Sequence, residues 1–250
     1  MRVAIVTPYC RESEDVWQTC INSVCAQTHP SQHVLVADGS PRSCPAGAAA
    51  ITLPAPHGDN GNTARAVGSI YAVANGFDAI AYLDADNWYA PSHVAAMVSL
   101  ARTTGAEVCV AARTIHRQDG SLMFRDRLDS DGVRRADTSC LFLTRPAFSL
   151  VSLWATMPRE LSPICDRLFW GAVCAARLRC STHDVPTVAF RTQYAAHYEA
   201  IGERAPAGSK TRANSTDPAL EWLRAQQGDR VATWRALLDA PAISRHTPRA

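Results

Sequence analysis

Two periods of apolar residues alternate along the first 110 positions. Residues 3–6, 33–37 and 79–83 are short runs dominated by Val, Ile, Leu and Ala, the pattern of strands covered on both faces. Between them, apolar positions recur every three to four residues. Val16, Trp17, Cys20, Ile21 and Val24 line one side of a helix that Ser13 caps, that carries Glu14 and Asp15 in its first turn, and that ends before Pro30. A second helix is predicted over residues 62–75. A third starts at Pro91, a favoured first-turn residue, and stops at Gly105. A further strand is expected over residues 49–53. Strands alternating with helices in this way imply a largely parallel sheet with crossover helices.

The second half is less regular. Residues 107–112, 139–144 and 187–191 read as strands and residues 164–178 as a helix. Residues 113–138 are polar and charge-rich, with turn signals at Asp119-Gly120 and Asp131-Gly132, and read as a hairpin or flap that includes Arg127. Residues 201–217 are rich in Gly, Pro, Ser, Thr and Ala and resemble a linker or disordered loop. Two short helices follow, the first started by Asp217-Pro218, the second striped by Val231, Trp234 and Leu238. The expected fold class is α/β, a Rossmann-like, mostly parallel sheet flanked by helices with a C-terminal helical appendage. Residues 1–112 form one half of a domain, 113–200 its second half, and 201–250 the linker and appendage.

Composition narrows the function. The 250 residues carry 25 Lys+Arg and 23 Asp+Glu, a formal charge of +2. A dedicated nucleic-acid binder would present a strongly basic face, so nucleic acid is not expected as a partner. Lys210 is the only lysine; its run Gly208-Ser209-Lys210-Thr211 lacks the upstream glycine and strand of a phosphate-gripping loop. No Cys-x-x-Cys occurs among the nine cysteines, and Cys180 with His183 is the only Cys-x-x-His pair, so scattered thiols in a reducing compartment are expected. No apolar run reaches the roughly 20 residues that span a bilayer. The expectation is a soluble, cytoplasmic protein with at most peripheral membrane contact.

Ligands of open α/β sheets bind beyond the carboxyl ends of the strands, where helix N-termini converge. Four segments fall there: Thr7-Pro8-Tyr9, Asp38-Gly39-Ser40, residues 58–65, and Asp84-Ala85-Asp86. Side chains two apart on an extended backbone point to one side, with Cα atoms about 6.5 Å apart. Asp84 and Asp86 so placed repel unless a cation or proton intervenes, and an oxygen-only pair suits Mg²⁺ or Mn²⁺ completed by water and substrate phosphates. A solvated turn or a cap ahead of Pro91 also accounts for the two acids.

Together these segments resemble the nucleotide-diphospho-sugar-binding half of the family 2 glycosyltransferases, inverting enzymes of the GT-A fold. The matching stretches, in order, are Val3-Ala4-Ile5-Val6-Thr7-Pro8-Tyr9, Ser23-Val24-Cys25-Ala26-Gln27-Thr28, Val34-Leu35-Val36-Ala37-Asp38-Gly39-Ser40, Gly61-Asn62-Thr63-Ala64-Arg65-Ala66-Val67-Gly68 and Ile80-Ala81-Tyr82-Leu83-Asp84-Ala85-Asp86-Asn87. Cys10 stands where the family often has asparagine, and Ala37 where it often has an acid. The resemblance implies that Thr7 and Pro8 line a nucleobase pocket and that Asp38, beside Gly39, contacts base or ribose. Arg65 then approaches the base or diphosphate, Asp84 holds the ribose or the metal's water shell, and Asp86 ligates Mn²⁺ or Mg²⁺.

The resemblance also implies a general base at the start of the helix after the flap, where Asp166 follows Cys165; a first-turn acid on the helix dipole is the alternative there. His183 and His197 lie where relatives supply a further metal ligand, and His197 is the candidate. Trp88, Tyr89 and Trp170 are candidate sugar-stacking faces, with core packing as the alternative. The expected partners are a nucleoside-diphosphate sugar, favouring UDP, and a saccharide, lipid or small-molecule hydroxyl acceptor. A catalytically silent nucleotide-sugar-binding protein remains open. A sugar-nucleotide pyrophosphorylase fits less well, because residues 7–13 hold neither glycine nor lysine.

Overall fold

A computed structural model describes residues 1–126 and 130–242. Arg127 of the predicted flap and residues 243–250 of the predicted appendage lie outside the described residues. The centre of the molecule is β1 (Val3–Tyr9), buried at every position. It lies between β2 (Ser31–Asp38) and β4 (Ala79–Tyr82), both parallel to it, and β3 (Ala49–Leu53) extends the sheet beyond β2. These runs lack polar alternation because α1 (Glu14–Cys25), α2 (Asn62–Ala74) and α3 (His93–Thr104) cover the sheet faces.

The second half continues the same sheet. In chain order it adds β5 (Trp88–Tyr89), β6 (Val108–His116), β7 (Leu122–Arg125), β8 (Leu141–Thr144), α4 (Leu153–Thr156), α5 (Cys165–Ala175), β9 (Cys180–Arg191), α6 (Ala195–Glu199), α7 (Thr216–Ala225) and α8 (Asp229–Leu238). The strand order is β3-β2-β1-β4-β8-β6-β9-β5, with β7 paired to β6. β8 runs antiparallel between β4 and β6, while β9 is parallel to β6. The start of the predicted flap is the β6–β7 hairpin, antiparallel from Thr114↔Arg125.

Two sequence expectations are corrected. β9 begins at Cys180, not near residue 187; Pro186 interrupts the pattern, and the ladder absorbs it with register shifts around Ala112. The segment expected as linker is tied to the fold at Lys210, whose N–H donates to the Gln193 carbonyl (2.7 Å) and whose carbonyl accepts from the Ala195 N–H (2.9 Å). The C-terminal helices share the main core: Ala219, Leu223, Val231 and Trp234 are buried in it. α8 sits so tightly on α5 that a Cβ at Gly171 would come within 1.9 Å of the Leu237 carbonyl oxygen.

Candidate active site

The carboxyl ends of β1, β2 and β4 open into one cavity of about 690 Å³, closed on its far side by the start of α5 and by residues 190–197 and 210–216. Pro8, Tyr9 and Cys10 supply the wall beyond β1, and the Cys10 thiol donates to the Asp38 carbonyl oxygen at 3.2 Å. Thr7 is not part of that wall. It is fully buried, and its hydroxyl lies 2.9 Å from His33 Nε2.

Asp38 ends β2 and is buried. Its carboxylate accepts the His57 backbone N–H at 3.0 and 3.1 Å and sits 2.6 Å from His57 Nδ1. Gly39 makes this turn possible: its φ is +79°, and a Cβ there would lie 2.4 Å from the Pro56 nitrogen.

Arg65 is buried on α2 at 2 % exposure, and its charge is answered by Asp84, Nη2 to Oδ1 at 2.7 Å. Its Nη1 donates to Asn62 Oδ1 at 2.9 Å, and the guanidinium carbon lies 4.7 Å from the Trp154 ring centroid. The backbone around the two acids is fixed as well. The Asp84 N–H donates to Ser139 Oγ at 3.1 Å, and Arg191 Nε donates to the Asp86 carbonyl at 3.2 Å. Ion-paired Asp84 and half-buried Asp86 therefore differ in environment. Burial, with Asp84, Glu12 and Asp137 nearby, pushes the Asp86 carboxyl up to about 7, against the pull of Lys210.

A further acid at the site went unread in the sequence. Asp137 accepts from the Ser139 N–H at 3.0 Å and pairs with buried Arg113, Nη1 to Oδ2, at 2.8 Å. Burial pushes its carboxyl up to about 6; Arg113 opposes the shift and Asp84 and Asp166 add to it. No local pattern singled out Asp137, because its place depends on β6 and β8 meeting. Asp166 lies on the cavity wall in the first turn of α5, its Oδ1 accepting the Arg167 N–H at 2.8 Å. Burial raises its carboxyl from the ordinary carboxylate value, with Arg167, Arg113 and Arg135 opposing the shift.

The aromatic walls are not the expected ones. The Tyr89 hydroxyl is buried against the Tyr82 and Ser139 carbonyls, and Trp88 packs against His116, with ring centroids 4.6 Å apart. Trp170 donates its indole N–H to the Val133 carbonyl at 3.2 Å and faces a separate hollow. Tyr9, Phe190 and Tyr194 line the cavity instead.

His197 also lines it, buried, with Nδ1 2.6 Å from the Thr192 hydroxyl, whereas His183 lies elsewhere with Nδ1 on the Val185 carbonyl. Among the described residues no three His, Cys, Asp or Glu side chains gather into a metal cage, so His197 does not complete a three-residue set with Asp84 and Asp86. The two acids do suit a hard divalent ion that takes one or two carboxylates and fills its shell from water and phosphate.

Comparison with known proteins decides the class. The profile described as "Glycosyl transferase family 2" matches residues 4–150, more than half of the chain. The chain belongs to glycosyl transferase family 2. Among solved structures, TarS 1-349 from S. aureus in complex with UDP superposes with a TM-score of 0.59 at 12% identity, covering 96% of this chain and 70% of that one. TarS 1-349 in complex with UDP-GlcNAc gives 0.59 at 11% identity, covering 96% and 71%. A longer TarS chain gives 0.58 at 12% identity; this chain covers 42% of its length. At such identity these likenesses establish the GT-A fold. No curated protein sequence matches significantly.

Family membership makes the chain a transferase and places Asp38, Arg65, Asp84, Asp86 and Asp137 within the matched residues. Asp166, Tyr194, His197 and Lys210 lie beyond the match. Among the described residues no helix of this glycosyltransferase is long and apolar enough to cross a membrane.

Proposed function

We propose that this family 2 enzyme moves a sugar from a nucleoside-diphosphate donor, UDP foremost, to a hydroxyl acceptor with inversion at the anomeric carbon. The observation that carries the proposal is that Asp38, Asp84, Asp86 and Asp166 all face one cavity although 128 positions separate the first from the last (166 minus 38). UDP is favoured because TarS structures hold UDP and UDP-GlcNAc and because the sequence resemblance is to enzymes that mostly use it.

In this reading Pro8 and Tyr9 flank the nucleobase and Asp38, held by His57, takes a base or ribose donor group. Arg65 fixes Asp84 toward the ribose. Asp86 would hold Mn²⁺ or Mg²⁺ with Asp84 at second rank, while His197 serves as cavity wall. When bound, the ion supplies Lewis-acid stabilisation of the departing diphosphate.

Asp166 takes the proton of the acceptor hydroxyl as that oxygen bonds to the anomeric carbon. The bond to the diphosphate oxygen breaks on the opposite face and leaves its electron pair on that oxygen. Burial strengthens Asp166 as a base by raising its proton affinity.

A melting panel of UDP, GDP, ADP and uridine, each with and without Mn²⁺, tests this. UDP with Mn²⁺ should raise the melting temperature most; at a hundredfold excess over Kd the gain is about 2.7 kcal/mol. A protein that responds to no nucleotide in either condition would refute the proposal.

A further inference from the structure

A second hollow, of about 510 Å³, opens between α5, α7, α8 and residues 134–135. Part of its lining is apolar, from Trp170, Leu220, Leu223, Leu237 and Leu238. Among the described residues that line it are five arginines, Arg134, Arg135, Arg167, Arg224 and Arg235, against one acid, Asp239. In a chain whose formal charge is only +2, that is a marked concentration of cations.

The arginines are not all absorbed by internal pairing. Arg235 Nη2 donates to the Leu223 carbonyl at 2.8 Å and to the Arg224 and Gln226 carbonyls, and no carboxylate pairs with it among the described residues. Exposed Arg134 holds Asp131 at 3.2 Å, and exposed Arg224 makes no ion pair among the described residues. Guanidinium groups bind phosphate and carboxylate by paired N–H donors, while leucine and tryptophan surfaces bury hydrocarbon. The combination fits one molecule that carries an anionic head on an alkyl body.

The hollow also adjoins the site already described. Arg135 and Arg167 line both cavities, and Asp166 immediately precedes Arg167 at the start of α5. We propose that this hollow binds an anionic amphiphile, a phosphate-type head joined to a hydrocarbon chain. Binding of the amphiphile does not rest on the function proposed above.

Isothermal titration with decyl phosphate below its micelle-forming concentration, with decyl maltoside and with inorganic phosphate, tests the assignment. Decyl phosphate should bind one-to-one and more tightly than the other two, with UDP and Mn²⁺ present or absent. The double variant Arg134→Ala/Arg224→Ala, at exposed positions, should weaken decyl phosphate roughly tenfold or more and leave decyl maltoside unchanged. Equal binding of the charged and neutral alkyl compounds, inorganic phosphate binding as well as decyl phosphate, or no effect of the double variant would each overturn it, as would one-for-one displacement by UDP.

Discussion

His33 and Thr7 show how a site residue and a structural one are told apart. The resemblance assigned Thr7 to a nucleobase wall, but its hydroxyl is spent on His33 beneath the sheet. Burial depresses the His33 ring from its ordinary 6.5 to about 3, so the folded protein keeps it neutral while the unfolded chain protonates it below pH 6.5. Its contribution is thus fully present above pH 6.5 and is lost as pH falls toward 3. Between pH 7 and pH 5 the loss from this one group is about 2 kcal/mol. His33→Gln keeps a donor for Thr7 and removes the titration. Its melting temperature should fall between those pH values by roughly 4 to 8 °C less than that of the wild type, and equal falls in both proteins would contradict the assignment.

At the scale of elements, legibility followed burial pattern. β1, β2 and β4 were readable because helices cover both sides and force unbroken apolar runs, and their ends delivered Asp38, Asp84 and Asp86. The start of β9 and the site role of residues 210–216 were not readable. Lys210 is held by backbone bonds to Gln193 and Ala195, which leave no trace in side-chain pattern, and Pro186 disguises the strand. Asp137 was missed for a related reason, since only long-range strand pairing brings it beside Asp84. The docking of α8 on α5 is likewise a contact that Gly171 permits and no periodicity announces. Gly171→Ala would drive a methyl into the Leu237 backbone, at a cost of about 1 to 3 kcal/mol or more. Its melting temperature should drop, and trypsin should cut at Arg235 well before it does in the wild type; an unchanged melting temperature and cleavage pattern would refute this close approach.

For the whole molecule, one sheet divides the work. Its parallel half presents the acids suited to a donor and its ion, and its mixed half brings Asp166, Tyr194 and Lys210 to face them across the cavity. The family match ends at residue 150, and the opposing wall, with Asp166, lies beyond it. The most direct measurement is UDP release from a UDP-sugar with Mn²⁺, compared between wild type and Asp166→Asn, alongside UDP affinity for each. UDP should bind about equally to both, and turnover should fall about a hundredfold to ten-thousandfold in the variant, the scale on which a general base acts. Turnover in Asp166→Asn at the wild-type rate would contradict it.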